Sequence, residues 1–162
     1  MDDRFELVDP RIAREKARAL FARVEAELRP LFPAEADIRH IGATAIPGCL
    51  TKGDLDIAVR VPVERFAQSD AVLAERFSRN AGSVRTESFS AFEDNACQPH
   101  LGVQLVAIGG SHDFFHTFAE RLLSSPELLR QYNALKQEYD GADMDSYRAA
   151  KDAFIDRALG KR

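Results

Sequence analysis

The sequence predicts an α/β domain in which a short mixed β-sheet is flanked by helices and followed by a C-terminal helical bundle. Three observations predict this architecture: an alternating run from Asp54 to Val61, an amphipathic segment before it, and three helical segments in the last third of the chain. A chain of 162 residues is long enough to bury its own core, so we expect one domain over residues 1–162.

The first predicted helix spans residues 10–29, with Asp9 as its cap and Pro10 in its first turn. Apolar residues recur along it at helical spacing, which is typical of a helix that packs one face on a core. A short strand over residues 37–41 follows the helix and leads into Gly42.

The alternating run is the predicted central strand, and it reads Asp54-Leu55-Asp56-Ile57-Ala58-Val59-Arg60-Val61. Alternation at period two places the apolar side chains on the core face and both aspartates on the opposite face. A strand rises about 3.3 Å per residue, so the two aspartate α-carbons lie roughly 6.6 Å apart. Carboxylates at that spacing can share a divalent metal ion, which makes Asp54 and Asp56 candidate metal ligands.

The remaining elements are predicted from the spacing of apolar residues and from the glycine, proline and capping residues at their ends. A helix is predicted over residues 63–80, and two strands over residues 84–92 and 101–108. The last third of the chain is predicted to form helices over residues 113–123, 126–139 and 145–159. Ser124 and Glu127 have the spacing of a capping box for the second of these helices.

Composition excludes some classes of function. The net charge of −4 argues against a broad nucleic-acid-binding surface, although a phosphate-bearing small molecule needs only a local basic patch. No run approaches the roughly 18 apolar residues of a membrane span, and the N-terminus lacks the pattern of a secretory signal. Cys49 and Cys97 do not form a disulfide framework. We therefore expect a cytoplasmic protein with reduced thiols.

The last two helices repeat one pattern, which reads Tyr132-x-x-x-Lys136-x-x-Tyr139 and then Tyr147-x-x-x-Lys151-x-x-Phe154. Positions i, i+4 and i+7 share a helix face, so each lysine emerges among aromatic residues. Two interpretations stay open. Either the lysine stem covers apolar surface while the ammonium reaches water, or both ammonium groups reach a cleft and contact anionic ligand oxygens.

The segments HIGATAIPG, TKGDLDIAVRV, PELLRQYNALKQEY and YRAAKDAFI make the chain resemble the GrpB family, also called UPF0157, over nearly its whole length. That family is similar to the DNA polymerase β type nucleotidyltransferase superfamily, whose mark is a Gly-Ser turn followed about ten residues later by Asp-x-Asp on a strand. The resemblance implies transfer of a nucleotidyl group from a nucleoside triphosphate to an unknown acceptor. Asp54 and Asp56 would then be the catalytic carboxylates that hold two magnesium ions.

The same resemblance implies a set of phosphate contacts. Backbone N–H groups of the turn Gly42-Ala43-Thr44, with the Thr44 hydroxyl, would bind the β- and γ-phosphates if a helix begins there. Three lysines would balance the charge of the triphosphate, namely Lys52, Lys136 and Lys151.

Two histidines are further candidates. His40 precedes the glycine turn, where it would donate to phosphate or pack against its strand neighbours. His100 precedes a predicted strand whose alternation turns His100, Gly102 and Gln104 away from the core and toward the site. Both histidines are therefore included among the candidate phosphate-binding residues.

Two departures from the family pattern bear on activity. Ala43 stands where the signature has serine, so one phosphate-binding hydroxyl is missing. No third carboxylate is identifiable on a neighbouring strand, and the nearby acidic residues are Glu87, Glu93 and Asp94. Two functions stay open: a magnesium-dependent nucleotidyltransferase, or a degenerate relative that binds a nucleotide or phosphometabolite, or docks a partner, without turnover.

Two other features invite a chemical interpretation. His112 and His116 are spaced as in a zinc metalloprotease helix, but Asp113 is shorter than the usual glutamate and no third ligand follows at a recognisable spacing. We therefore expect a solvent-facing helix start there. Cys49, beside the glycine turn, is expected to be a small apolar filler.

Overall fold

Helix α1 spans Pro10–Leu28 in the computed structural model, which describes residues 3–160. The Asp9 side chain caps it by accepting a hydrogen bond from the N–H group of Arg11 at 2.9 Å. Its buried residues are three or four apart and line one face: Ala13, Ala17, Leu20, Val24 and Leu28. The predicted helix and its cap are confirmed.

A five-stranded mixed sheet packs against this helix. Its strands stand in the order β1-β2-β5-β4-β3, with β1 at Asp37–Ile41, β2 at Leu55–Val61, β3 at Ser78–Arg79, β4 at Phe89–Asp94 and β5 at Leu101–Ala107. Strands β2 and β5 are parallel, and the other pairs are antiparallel. The aspartate strand β2 therefore lies inside the sheet, between β1 and the middle strand β5.

The side chains of β2 alternate between the two faces of the sheet. Its core face, with Leu55, Ile57, Val59 and Val61, packs beneath α1 and helix α2 at Phe66–Arg76. Asp56 and Arg60 lie on the opposite face and are half-buried. The predicted alternation is confirmed, except that Ala58 on this opposite face is fully buried as well.

Three helices form the predicted C-terminal bundle: α3 at Phe115–Ser124, α4 at Pro126–Glu138 and α5 at Met144–Ala158. Their apolar faces share a second core with Ile46 and Cys49, which belong to the segment between β1 and β2. Asn133 of α4 fastens this segment, because its Oδ1 accepts from the Leu50 N–H at 2.8 Å and its Nδ2 donates to the Gly48 carbonyl at 2.9 Å. The bundle is thus attached to the loop that leads into β2.

Residues 3–8 form an extended segment, the N-terminal strap, that crosses the loop between α4 and α5. The Phe5 N–H donates to the Ala142 carbonyl at 2.8 Å, and the Phe5 carbonyl accepts from the Gly141 N–H at 2.7 Å. Val8 donates to the Thr51 carbonyl at 3.0 Å, which ties the strap to the residues before β2. The Phe5 side chain is consequently buried between the strap and the bundle.

The region after β2 differs from the prediction. Instead of one helix over residues 63–80, a 3-10 turn at Val63–Arg65 leads into α2, and the short edge strand β3 follows. Arg79 explains the early end of the helix, since its guanidinium pairs with Asp70 at 2.6 Å and lies 5.0 Å from the centroid of the Phe92 ring. Pairing at a sheet edge does not alter the helical spacing of apolar residues, so the helix predicted from that spacing was too long.

Two boundaries are corrected by local geometry. Strand β4 begins at Phe89 rather than at residue 84, because the preceding residues form turns in which Asn80 and Thr86 accept from the N–H groups of Gly82 and Ser88. Ser125, not Ser124, caps α4 by accepting from the Leu128 N–H at 3.1 Å. Pro126 occupies the first helical position, which fixes the capping residue as the one before it. Among residues 3–160, no helix combines the length and apolar character needed to cross a bilayer.

Candidate active site

A cavity of about 140 Å³ lies between the sheet face that carries Asp56 and the C-terminal bundle. Its walls are mostly apolar and include residues of the bundle and of the N-terminal strap. Its charged side chains are two carboxylates and three lysines, and an amide and three hydroxyls also line it: Asp54, Asp56, Lys52, Lys136, Lys151, Gln104, Thr51, Tyr132 and Tyr147. Residues predicted from four separate segments of the sequence therefore converge on one cavity.

Asp56 lies where three strands meet. It stands opposite Ile41 of β1 and opposite Gly102 of β5. A β-carbon at Gly42 would lie 2.8 Å from Asp56 Oδ2, and a β-carbon at Gly102 would lie 2.8 Å from Asp56 Oδ1. Gly42 also has a φ of 77°, which favours glycine. The two glycines thus make room for the carboxylate, a role for Gly102 that the sequence pattern did not indicate.

No group among residues 3–160 donates a hydrogen bond to the Asp56 carboxylate. Burial raises the pKa of Asp56, and the nearby Asp54 raises it further, while the Lys151 ammonium opposes the rise. A half-buried carboxylate without donors is stabilised in its ionised form by a bound cation. The electrostatics of the site therefore suit a metal ion beside Asp56.

Asp54 precedes β2 instead of opening it, because the strand begins at Leu55. Its carboxylate forms an ion pair with the Lys52 ammonium at 2.7 Å and still lines the cavity. The structure thus brings Asp54 and Asp56 to the same cavity, although only Asp56 projects from the strand itself. A cation at Asp54 would compete with Lys52 for the carboxylate.

Thr44 connects the glycine turn to the acid pair from outside the cavity. Its hydroxyl donates to the Asp54 carbonyl at 2.9 Å and lies 2.9 Å from His40 Nε2. Because the hydroxyl has a single proton, His40 is the donor of the second bond and carries its own proton on Nε2. The residues Ala43–Ala45 form only a 3-10 turn, so the helix considered for this position does not begin there.

His40 faces the opposite side of the sheet from Asp56. Its ring stacks on Phe21 of α1 with 5.4 Å between the centroids. Burial, with a smaller contribution from Arg18, lowers the pKa of His40 to about 4, so the imidazole is neutral at pH 7. Of the two interpretations of His40, packing against its neighbours describes the structure, and its link to the site passes through Thr44.

Lys136 is buried, with 3% of its surface exposed. Its ammonium donates to the Tyr147 hydroxyl at 2.7 Å and lies 4.5, 5.3 and 5.5 Å from the ring centroids of Tyr132, Tyr147 and Phe5. Burial lowers the pKa of Lys136 to about 8. The ammonium does not reach water, and Lys151 lines the same cavity. The interpretation in which both lysines reach a cleft therefore matches their positions.

His100 does not line the cavity. Its Nε2 lies 3.7 Å from Glu93 Oε1. Glu93 stands opposite Gly102, which in turn stands opposite Asp56, so the three residues form one row on one face of the sheet. Of the acidic candidates near the site, Glu93 alone lies in this row, roughly 10 Å from Asp56 at two strand spacings.

Three residues of the cavity have roles that the sequence indicated only in part or not at all. Gln104 was predicted to face the site, and its buried Oε1 has no hydrogen-bond partner in the described part of the chain. Tyr147 belongs to the repeated tyrosine-lysine pattern, which signalled its helix face but not its bond to Lys136. Phe5 lies in a segment without periodicity, and only the folded strap brings it to the cavity.

The His112 and His116 pair is not a metal site. Helix α3 begins only at Phe115, so the two histidines do not share a helix face. His112 stacks on Phe89 with 4.5 Å between centroids, and His116 Nδ1 lies 3.5 Å from Asp113 Oδ1. Both histidines are half-buried, so the expected solvent-facing helix start is wrong. Within residues 3–160 no cluster of three or more histidine, cysteine or acidic side chains is placed to hold a metal.

Cys49 behaves as the predicted filler. It is buried in the second core, and burial raises the pKa of its thiol. A thiol that stays protonated at neutral pH is a poor nucleophile. The residue therefore contributes packing between the glycine turn and the bundle.

Comparison with known proteins identifies relatives over most of the chain. A family model described as GrpB protein matches residues 11–161. A UPF0157 protein of Vibrio cholerae is 36% identical over 143 residues, which cover 88% of this chain and 75% of the relative. The sequence resemblance to GrpB proteins is confirmed by both matches.

Solved structures show the same fold. GrpB from Enterococcus faecalis superimposes with a TM-score of 0.67 at 20% identity, covering 88% of this chain and 89% of that protein. The Cid1 poly(U) polymerase bound to MgATP gives a TM-score of 0.53 at 13% identity, covering 80% of this chain and 41% of Cid1. Its MgGTP complex gives a TM-score of 0.52. With these matches and with its mixed sheet of five strands, the chain belongs to the GrpB protein family and has a nucleotidyltransferase-like fold.

Proposed function

We propose that this protein is a magnesium-dependent nucleotidyltransferase, which transfers a nucleotidyl group from a nucleoside triphosphate to an acceptor. The observation that carries the proposal is the position of Asp56, whose carboxylate is held between Gly42 and Gly102 without a hydrogen-bond donor among the described residues. The fold shared with Cid1, which has been solved with MgATP and MgGTP, supports it.

Asp54 and Asp56 would hold the magnesium. Two carboxylates are sufficient, because Mg²⁺ is commonly bound by one or two carboxylates and completes its shell with water and substrate phosphates. The bound ion would neutralise the negative charge that develops on the transferred phosphoryl group and the leaving pyrophosphate. The lack of donors to Asp56 fits this role, since a carboxylate already bonded to N–H groups has less capacity for a cation.

Two lysines at the polar end of the cavity would bind the triphosphate. Lys151 lines the same cavity as Asp56 and is the main cation that opposes the raised pKa of Asp56, so the two would act on the same phosphate group. Lys52 is paired with Asp54 and has 37% of its side chain exposed. When a metal takes Asp54, the ammonium of Lys52 becomes available to phosphate oxygens. The Gly42 turn is tied to Asp54 through the Thr44 hydroxyl and approaches Asp56 through Gly42 itself.

A second candidate function is a module that binds a nucleotide or phosphometabolite without turnover. The lack of a three-ligand cluster within residues 3–160 favours it, because a third acid would fix the metal more firmly. Glu93, the acid in the row of Asp56, is engaged by His100 and separated from Asp56 by the width of β5. Both functions need the same bound nucleotide, and they differ in whether a nucleotidyl group is transferred from it.

The test is transfer of label from α-labelled nucleoside triphosphates to a deproteinised small-molecule extract or to RNA, with and without Mg²⁺. We expect metal-dependent transfer by the wild type and its loss in Asp56→Asn. The exposed residue Asp152 provides the matched control, Asp152→Asn, which should keep full transfer. Undiminished transfer by Asp56→Asn would contradict the mechanism. Magnesium-dependent binding without transfer to any acceptor would favour the second function.

A further inference from the structure

We propose that the deep end of the cavity, formed around Lys136, binds the acceptor, and that this acceptor is a small organic carboxylate with an apolar body of about the size of one ring. That the bound carboxylate is the acceptor rests on the proposed nucleotidyl transfer, in which a carboxylate oxygen would form a bond to the α-phosphorus while the bond to pyrophosphate breaks, giving an acyl nucleotide and free pyrophosphate. Binding of the carboxylate to the deep end does not rest on that transfer, because the charge of Lys136, the cavity wall and the cavity size do not depend on it.

The first argument is the charge of Lys136. Its ammonium is buried, and among residues 3–160 no carboxylate lies within ion-pair distance of it, so the charge of Asp56 acts on it only from farther away. Its one hydrogen bond goes to the neutral Tyr147 hydroxyl, which leaves two of its three N–H donors without a partner. A buried charge without a counter-ion is costly, and the nearby aromatic faces offset only part of that cost. An anion in the cavity would complete the site.

The second argument is the surface around the ammonium. The rings next to the Lys136 ammonium are those of Phe5, Tyr132 and Tyr147, and the rest of the cavity wall includes the apolar residues Ile46, Phe118, Leu122 and Ile155. Each of these four rings contacts another ring, since Phe5 and Tyr147 stack at 3.7 Å and Phe118 meets Tyr132 edge-on at 5.3 Å. A wall of this composition favours a ligand whose body is apolar and whose charge is confined to one end.

The third argument is size. A cavity of about 140 Å³ is comparable to an engineered apolar cavity of about 150 Å³ that binds benzene. Whole nucleotide sites are larger, because pockets for drug-sized ligands span about 300–1,000 Å³. The whole cavity, which Lys52 and Lys151 also line, therefore encloses room for about one ring-sized group, so a triphosphate held by these two lysines would extend beyond it.

The fourth argument is the match of charge. One ammonium neutralises one negative charge, and a carboxylate carries one, while a phosphate monoester carries close to two at neutral pH. The charges of Lys151 and Lys52 also act on Lys136, but these are the two lysines proposed to bind the triphosphate. With both engaged there, Lys136 alone is left to pair, and a monoanion matches its single charge.

The experiment compares benzoate with its neutral analogue benzamide as probes, in the absence of nucleotide and metal. Binding to the full chain is measured by isothermal titration calorimetry for the wild type, Lys136→Met and the matched surface variant Lys16→Met. Charged hydrogen bonds contribute about 1.5–3 kcal/mol, so we expect benzoate to bind at least about tenfold tighter than benzamide. Lys136→Met should abolish this preference, and Lys16→Met should keep it.

A chemical readout covers the case in which Lys136→Met does not fold. In the wild type, benzoate should slow reductive methylation of the Lys136 amine, followed by mass spectrometry, and benzamide should not. Equal affinity for the two probes, a preference for benzoate that persists in a folded Lys136→Met, or no saturable benzoate binding at millimolar concentration would each overturn the proposal.

The two proposals fail in different ways. Nucleotidyl transfer by a protein that does not bind benzoate overturns the carboxylate site and leaves the enzyme function standing. Lysine-dependent benzoate binding by a protein that transfers no nucleotide supports the site, removes its identification with an acceptor, and counts against the enzyme function.

Discussion

The carboxylate of Asp56 occupies the space that a side chain at Gly102 would fill, since a β-carbon there would lie 2.8 Å from Oδ1. Gly42 allows the same approach from the other side, with 2.8 Å to Oδ2. Gly42 follows β1 and Gly102 lies within β5, so the position of the carboxylate depends on the pairing of three strands. The geometry of the candidate active site is therefore a property of the sheet and not of the aspartate strand alone.

Replacing Gly102 by alanine should displace the Asp56 carboxylate and weaken the proposed metal site. The added methyl group overlaps Oδ1, and overpacking of this kind costs about 1–3 kcal/mol. We expect Gly102→Ala to lower the melting temperature and to abolish the part of the nucleotide-induced stabilisation that depends on Mg²⁺. Differential scanning fluorimetry with and without the metal measures both effects.

Gly82→Ala is the control for this substitution. A β-carbon at Gly82 would have its nearest neighbour, Asn80 Oδ1, at 3.5 Å, and this glycine has no positive φ. Its response to nucleotide and Mg²⁺ should equal that of the wild type. A full Mg²⁺-dependent response from Gly102→Ala would show that Asp56 has room to move without loss of the ligand.

Asp56→Asn should stabilise the protein at neutral pH while it removes activity. The pKa of Asp56 is raised in the folded state by burial, so the folded protein holds this proton at pH values where the unfolded chain has lost it. The ionised carboxylate consequently destabilises the folded state at pH 7, and the penalty disappears as the pH falls through the raised pKa. Asparagine carries no such penalty.

The measurement is the free energy of unfolding in urea, for the wild type and Asp56→Asn, across the acid range. The variant should be the more stable at pH 7, and the difference should shrink toward low pH. Asp152→Asn, at an exposed position, should show no such convergence. A loss of stability in Asp56→Asn at pH 7 would mean that the carboxylate has a structural partner.

Thr44→Val tests the link between the glycine turn and the acid pair. Valine keeps the shape of threonine but leaves the Asp54 carbonyl and the His40 Nε2 proton without their partner. An unsatisfied buried group costs about 1–3 kcal/mol, so we expect that loss of stability together with weaker Mg²⁺-dependent nucleotide binding. Urea unfolding and titration with MgATP measure the two quantities.

Thr86 provides the comparison for Thr44, because it is exposed and lies in the loop before β4. Thr86→Val loses only exposed turn hydrogen bonds with Ser88, so it should cost about 1 kcal/mol or less and leave nucleotide binding unaltered. If Thr44→Val bound MgATP as tightly as the wild type, the turn would not be needed to place Asp54.

The sequence predicted the fold and most of the cavity because both depend on local patterns. Alternation located β2 with Asp56 in it and Asp54 just before it, and helical spacing located Lys136 and Lys151 among aromatic residues. Contacts between distant segments left no such pattern. Gly102 gained its role from the carboxylate of another strand, and Phe5 reached the cavity through backbone pairing with the loop at Gly141 and Ala142.

The absence of a local pattern for contacts between distant segments also explains where the structure departs from the predictions. His40 has the position of a phosphate donor in the linear sequence, but the alternation of β1 turns it toward Phe21 on the other face. The helix predicted to continue to residue 80 ends at Arg76 because Arg79 pairs with Asp70 and β4. In both cases a partner distant in sequence determined the side chain's environment.

Lys136→Met should reveal the cost of the buried ammonium through the pH dependence of stability. The pKa of Lys136 is lowered from 10.5 in the unfolded chain to about 8 in the folded protein. Between these values the unfolded chain binds more protons, so the wild type gains stability as the pH rises from about 8 toward 10.5.

Methionine keeps the apolar length of the side chain and does not titrate. Below pH 8 the variant should therefore be the more stable, by about 3 kcal/mol at most, and above pH 10 the difference should be small. Urea unfolding of both proteins over this range measures the difference in the free energy of unfolding, from which the contributions of the other titrating groups cancel.

Lys16→Met should follow the wild type throughout, since Lys16 is exposed. A wild type more stable than Lys136→Met at pH 7 would show that the ammonium already has an anionic partner in the folded chain, and the deep end of the cavity would then have no unpaired charge to offer a carboxylate.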